Sequence, residues 1–122
     1  MNPFEDLVIQ ASNILDTVEN YQFEIGRLSN EIVQTQGYRA LEDFSKQIEE
    51  NCGVRRSPAS LRLYAYVYKI SNQLGLPKDI LFSGCREIVF SSDPQKYARL
   101  AKGGLSGYEI KKAIYEEKYQ ES

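Results

Sequence analysis

Apolar side chains recur along the first third of the chain at a spacing that a helix turns to one side. Leu7, Ala11, Ile14, Val18, Tyr21, Ile25, Leu28 and Ile32 advance by alternating steps of four and three without a break. That is the heptad pattern of an amphipathic helix with one continuous seam. Asn2 and Pro3 supply an N-cap and a proline at the first helical position, and Gly37 is placed to stop the run. The pattern predicts one long helix over residues 3–36, roughly 50 Å at 1.5 Å per residue, which exceeds what a small core covers. The surplus seam has two outlets. It can pair with a second copy or dock on a partner through those eight residues, or it can fold back on its own chain, whole or broken near Asn20.

After Gly37 the signals come closer together. A second helix fits residues 38–51, with Leu41, Phe44 and Ile48 on its inner face and Gly53 suited to the left-handed position past its end. Ser57-Pro58 opens a third helix, with Ser as N-cap and Pro at N1. Its inner stripe is Leu61, Tyr64, Val67 or Tyr68, and Leu74, and Gly75 ends it. Pro77 opens a fourth over residues 78–90, with Ile80, Leu81, Ile88 and Val89 apolar. Ser91-Ser92-Asp93-Pro94 caps a short fifth helix that Gly103-Gly104 breaks. Ser106 and Glu109 form a capping box for a last helix reaching about residue 119. No segment alternates with period two. The expected fold is all-α, a long N-terminal helix followed by a compact bundle of about five shorter helices. The expected division is an amphipathic acidic arm at 1–37, a basic helical domain at 38–119 and a tail at 120–122.

Charge sharpens that division. Residues 1–54 hold ten Asp and Glu against three Lys and Arg, whereas residues 55–112 hold four acids against eleven bases, so a net of −7 is followed by +7. The whole-chain net of −2 conceals the contrast. A basic half points to a polyanion or an acidic partner. Other classes fall away. Without histidine the chain has no Ser-His or Cys-His nucleophile pair and no imidazole metal ligand. Gly103-Gly104 lacks the Lys-Ser or Lys-Thr of a phosphate loop. Cys52 and Cys85 read as reduced, buried thiols, and no cofactor is implied. No apolar run approaches the roughly 20 residues that span a bilayer. The acidic start, Met1 to Asp6, lacks the basic region of a signal peptide. A cytoplasmic protein is expected.

The stretch 41–62 has helix-turn-helix grammar: a helix with a Leu/Phe/Ile face, a glycine turn, then a helix beginning Ser-Pro among basic residues. A recognition helix enters the major groove by its N-terminal end, so base-reading and phosphate-binding groups belong there. Arg55, Arg56, Ser57, Ser60 and Arg62 occupy that end. Arginine can grip guanine edges or a phosphate, and serine can donate to either. Downstream, Lys96, Arg99 and Lys102 are the candidates for backbone contacts, with Lys111 and Lys112 adding charge. Tyr64, Tyr66 and Tyr68 could stack unpaired bases, but residues two apart on a helix face different ways. Glu109-Ile110-Lys111 matches half of a PD-(D/E)xK nuclease signature. That chemistry needs a strand and a second carboxylate sharing a metal, and here Glu109 is a helix cap.

These residues resemble a family. Glu24-Ile25-Gly26-Arg27-Leu28 late in the first helical segment, Gly37 beyond it, then a helix, a turn and Ser57 with Leu61-Arg62 and Tyr64 are similar to the N-terminal domain of YhcG-like proteins. In those bacterial and mobile-element proteins a DNA-binding helical domain precedes a PD-(D/E)xK nuclease domain. Asp93-Pro94, Tyr97, Leu100-Ala101 and Leu105 to Ile110 match that domain's second helical part, which resembles the helices after the turn in ParB-like partition proteins. The resemblance spans residues 20–114. Phe82-Ser83-Gly84-Cys85-Arg86 stands where the family shows Trp-Ser-His, and the nuclease domain has no counterpart. The resemblance implies a non-enzymatic DNA-binding module, a dimeric regulator or mobile-element protein, with Arg55, Arg56, Ser57, Ser60 and Arg62 facing double-stranded DNA. The competing expectation is a protein-binding adaptor, or a small subunit or inhibitor of a larger complex, docking through the heptad helix.

Overall fold

The computed structural model describes residues 2–17 and 21–120, with side chains from residue 12 to residue 20 outside the description. Its elements are α1 (Pro3–Thr17), α2 (Gln22–Gln36), α3 (Ala40–Cys52), α4 (Pro58–Leu74), α5 (Phe82–Val89), α6 (Pro94–Lys102) and α7 (Gly107–Gln120). No strand occurs among the described residues, so the fold is all-α. No helix among them is long and apolar enough to cross a membrane.

The single long helix expected over residues 3–36 is corrected to two. Helix α1 ends at Thr17 and α2 starts at Gln22, and α1 packs on both α2 and α3. The heptad seam supplies the reason. Leu7, Ala11, Ile25, Leu28 and Ile32 are at most 8% exposed and form one core with Val8, Leu41, Phe44, Ile48 and Leu61. A straight rod would hold half of that seam away from the core, and folding back removes it from water. Phe4 of α1 meets Phe44 of α3 edge-on at 5.9 Å between ring centres. The seam expected as a dimer or docking face is therefore interior at those five residues, and Tyr21 is half-buried. Val18 and the side chain of Ile14 lie outside the described residues.

The compact units are Met1–Lys69 and Ile70–Ser122, with the boundary inside α4. By unit, the first holds ten acids and seven bases and the second seven acids and eight bases, for nets of −3 and +1. The basic block of residues 55–112 is shared between these two units.

Local signals fare better. Asn2 Oδ1 accepts the Glu5 N–H at 2.8 Å, and Asp93 Oδ1 accepts that of Lys96 at 3.1 Å. Ser106 and Glu109 close their capping box. Gly37 ends α2, its N–H donating to Val33. The fourth predicted helix begins late, at Phe82. Residues 77–80 form a turn closed by the Ile80 N–H on the Pro77 carbonyl, and Leu81 is extended. Ile80 is 5% exposed, and its Cγ2 lies 2.9 Å from where a β-carbon on Gly84 would stand. Folding Ile80 back onto that glycine ends in a turn what periodicity alone continues as helix.

Candidate nucleic-acid interface

The N-terminal end of α4 is built by its neighbours. Gly53, at φ 77° and ψ 1°, ends α3 in the left-handed conformation with its N–H on the Glu49 carbonyl. A side chain there would strain the backbone. Ser45 of α3, largely buried, donates its hydroxyl to the Arg56 carbonyl and ties the turn to the helix before it. Ser57 then caps α4: its Oγ accepts the Ser60 N–H at 3.1 Å and donates to the Ser60 hydroxyl. Pro58 follows at the first helical position.

This arrangement sorts the candidates. Arg56 turns inward, with its guanidinium 4.8 Å above the Tyr21 ring and its Nε donating to the Tyr21 hydroxyl at 3.0 Å. A second nitrogen returns to the Arg55 carbonyl at 2.9 Å. It is half-buried and braces the start of α2 against the α3–α4 turn. Tyr64 packs edge-on against Tyr21 at 6.1 Å. Burial, followed by Tyr21's own phenol, pushes the Tyr64 ionisation above its ordinary value, while Arg56 pulls it back. Ser57 and Ser60 spend their hydroxyls largely on the cap.

Arg55 and Arg62 are exposed, and Arg62 lies 4.4 Å over the ring of Tyr38. That stacking holds a long side chain outward from α4. Arg62, Tyr66 and Lys69 follow steps of four and three on one exposed face of α4. Leu61 and Ala65 turn to the interior. Sequence reasoning set Tyr66 beside Arg62 and Lys69 only as a group that could stack unpaired bases, and it missed Tyr38. One signal was available, because residues 51–78 contain five bases and no Asp or Glu. A charge count over a whole half blurs that local absence.

Lys96, Arg99 and Lys102 belong to the other unit, on α6. Lys96 is committed there, 3.1 Å from Glu117 and 5.4 Å from the Tyr97 ring centre. Glu117 also accepts the hydroxyl of buried Tyr97, which anchors α7 to α6. Arg99 and Lys102 are exposed. Glu109 stays in its helix cap and Lys111 donates to Ser83 Oγ at 2.8 Å, so the half-motif lies on a helix. Among the described residues, no three His, Cys, Asp or Glu gather closely enough to hold a metal. Compared with protein families, curated proteins and solved structures, the chain matches none.

Proposed function

We propose that this chain is a non-enzymatic DNA-binding protein of the helix-turn-helix type, a regulator or mobile-element protein akin to the YhcG-like N-terminal domain. The N-terminal half of α4 would enter the major groove as a recognition helix. One observation carries the reading: an exposed face of Arg62, Tyr66 and Lys69, with Arg55 at its entrance, on a stretch holding no carboxylate. Phosphates are repelled by nearby acids and released counterions favour bases, so an acid-free basic stretch favours entry into a groove. Helices α1 and α3, each of net −3, would face away from the phosphates. The adaptor alternative drew on the heptad seam as well as the basic face, and burial of Leu7, Ala11, Ile25, Leu28 and Ile32 favours the nucleic-acid reading over it.

Fluorescence anisotropy with labelled duplex DNA at about 50 and about 200 mM salt tests the proposal. Binding should fall steeply with salt. Replacing Arg55, Arg62 and Lys69 together with Ala should flatten the slope by roughly one for every phosphate no longer neutralised. Absence of binding at about 50 mM, or binding untouched by the triple replacement in a folded protein, would overturn it.

A further inference from the structure

Helix α7 carries a second seam, and this one faces solvent. Ile110 and Ile114 turn into the core of their unit. On the opposite side Tyr108, Lys112, Tyr115 and Tyr119 follow steps of four, three and four. The three tyrosines are 77%, 60% and 66% exposed, and the rings of Tyr115 and Tyr119 lie 4.6 Å apart. One exposed tyrosine is ordinary, but three in a single heptad row, two of them in ring contact, present an aromatic face to solvent.

The flanks of this row say what fits it. Glu109 and Glu116 border one side, and Lys111 and Lys118 the other. Two copies of α7 pairing antiparallel are related by a two-fold axis perpendicular to both, so each flank meets itself. Glu109 would then face Glu116 of the second copy, and Lys111 would face its Lys118; both contacts repel. Parallel pairing sets the acidic flank of one copy against the basic flank of the other, the arrangement by which flanking charges choose helix orientation. Lys111 then meets Glu116 of the second copy, twice by symmetry. Lys111 now donates to a neutral acceptor, Ser83, so a carboxylate is the stronger partner. Lys112 occupies the seam itself, where a lone cation fixes register at some cost in stability. Its methylenes can lie along the tyrosine rings while its ammonium reaches water.

We propose that α7 is a homotypic docking surface, pairing in parallel with α7 of a second copy of this chain through Tyr108, Tyr115 and Tyr119. The inference is independent of the nucleic-acid reading. One helix face per copy falls short of the roughly 1,200 Å² of a standard interface. The dissociation constant is accordingly expected to be on the order of 100 μM.

Sedimentation velocity on the full chain, run from about 10 μM to about 1 mM, should show a monomer–dimer equilibrium. Tyr115→Glu, at an exposed position with helicity checked by circular dichroism, should weaken it at least about tenfold by placing two carboxylates in the seam. The orientation is read by charge exchange. Glu116→Lys alone and Lys111→Glu alone should each weaken pairing, whereas an equimolar mixture of the two variants should restore it. A protein monomeric at about 1 mM, or a dimer indifferent to Tyr115→Glu, would overturn the proposal. Failure of the mixture to recover would overturn the parallel arrangement and the proposal with it.

Discussion

Gly26→Ala sets two physical effects of opposite sign against each other. Gly26 lies within α2, where alanine is intrinsically better than glycine by about 1 kcal/mol. Propensity alone therefore expects a more stable protein. The tertiary structure predicts the reverse. A β-carbon at Gly26 would meet the backbone carbonyl of Tyr64 on α4, 2.9 Å from its carbon and closer still to its oxygen, and would stand 3.1 Å from Tyr68 Cβ. These atoms belong to a helix backbone and a first side-chain carbon, so rotamer change cannot clear them. The two helices must part by several tenths of an ångström, and overpacking of that kind costs about 1–3 kcal/mol. The residues nearby are fully buried, Ile25, Leu28 and Leu61 among them, so the displacement also loosens a close-packed core. Set against the propensity gain, the net is a loss of up to about 2 kcal/mol, in place of a gain of about 1 kcal/mol. Urea unfolding followed by circular dichroism measures it, with Gly103→Ala as control. Gly103 has φ −77° and would place a β-carbon no nearer than 3.4 Å to any neighbour, so alanine there should be neutral or mildly stabilising. A Gly26→Ala protein more stable than the parent by the full propensity gain would refute the close α2–α4 crossing.

Two further outcomes follow from the same structure. Arg56→Ala should cost about 1 kcal/mol by removing the Tyr21 hydrogen bond and ring contact, whereas Arg55→Ala should stay within about 0.5 kcal/mol of the parent. Equal urea midpoints for the two variants would contradict the inward placement of Arg56. The Cys85 thiol is 1% exposed, and burial pushes its pKa up to about 11, while Cys52 is only partly covered. At about pH 8 a thiol reagent should label Cys52 first and reach Cys85 only on unfolding. Because the folded value lies above the ordinary 9.0, the Cys85 contribution to stability is complete below pH 9.0 and is lost as pH rises through about 11. Labelling of both thiols at one rate in the native protein would contradict its burial.

Much of the local architecture was legible in the sequence because caps and turns are short-range contracts. Asn2, Ser57, Asp93 and the Ser106–Glu109 pair satisfy N–H groups within three residues of themselves, so spacing alone locates them. The start of α5 was not legible, because it depends on Ile80 closing over Gly84, and apolar periodicity does not distinguish a helix from a turn with a buried side chain. In the candidate interface, turn grammar led to Arg55, Ser57 and Arg62. It could not tell the exposed Arg55 from Arg56, since only the fold brings Tyr21 to the latter. Tyr38 was invisible for the same reason, its contact with Arg62 joining segments distant in the chain.

By itself the sequence determined that this chain is helical, where most of its helices are capped, and which side chains share a face. Those are consequences of backbone hydrogen bonding and the 3.6-residue turn, which act over a few neighbours. The tertiary structure alone decided what each face meets. The seam of α1 and α2 and that of α7 read alike, as steps of four and three. Yet the first is interior at Leu7, Ala11, Ile25, Leu28 and Ile32, and the second faces water at Tyr108, Tyr115 and Tyr119. Burial is a property of the neighbour across the gap, and that neighbour is chosen by packing among distant segments, not by the pattern that prepares a surface for it.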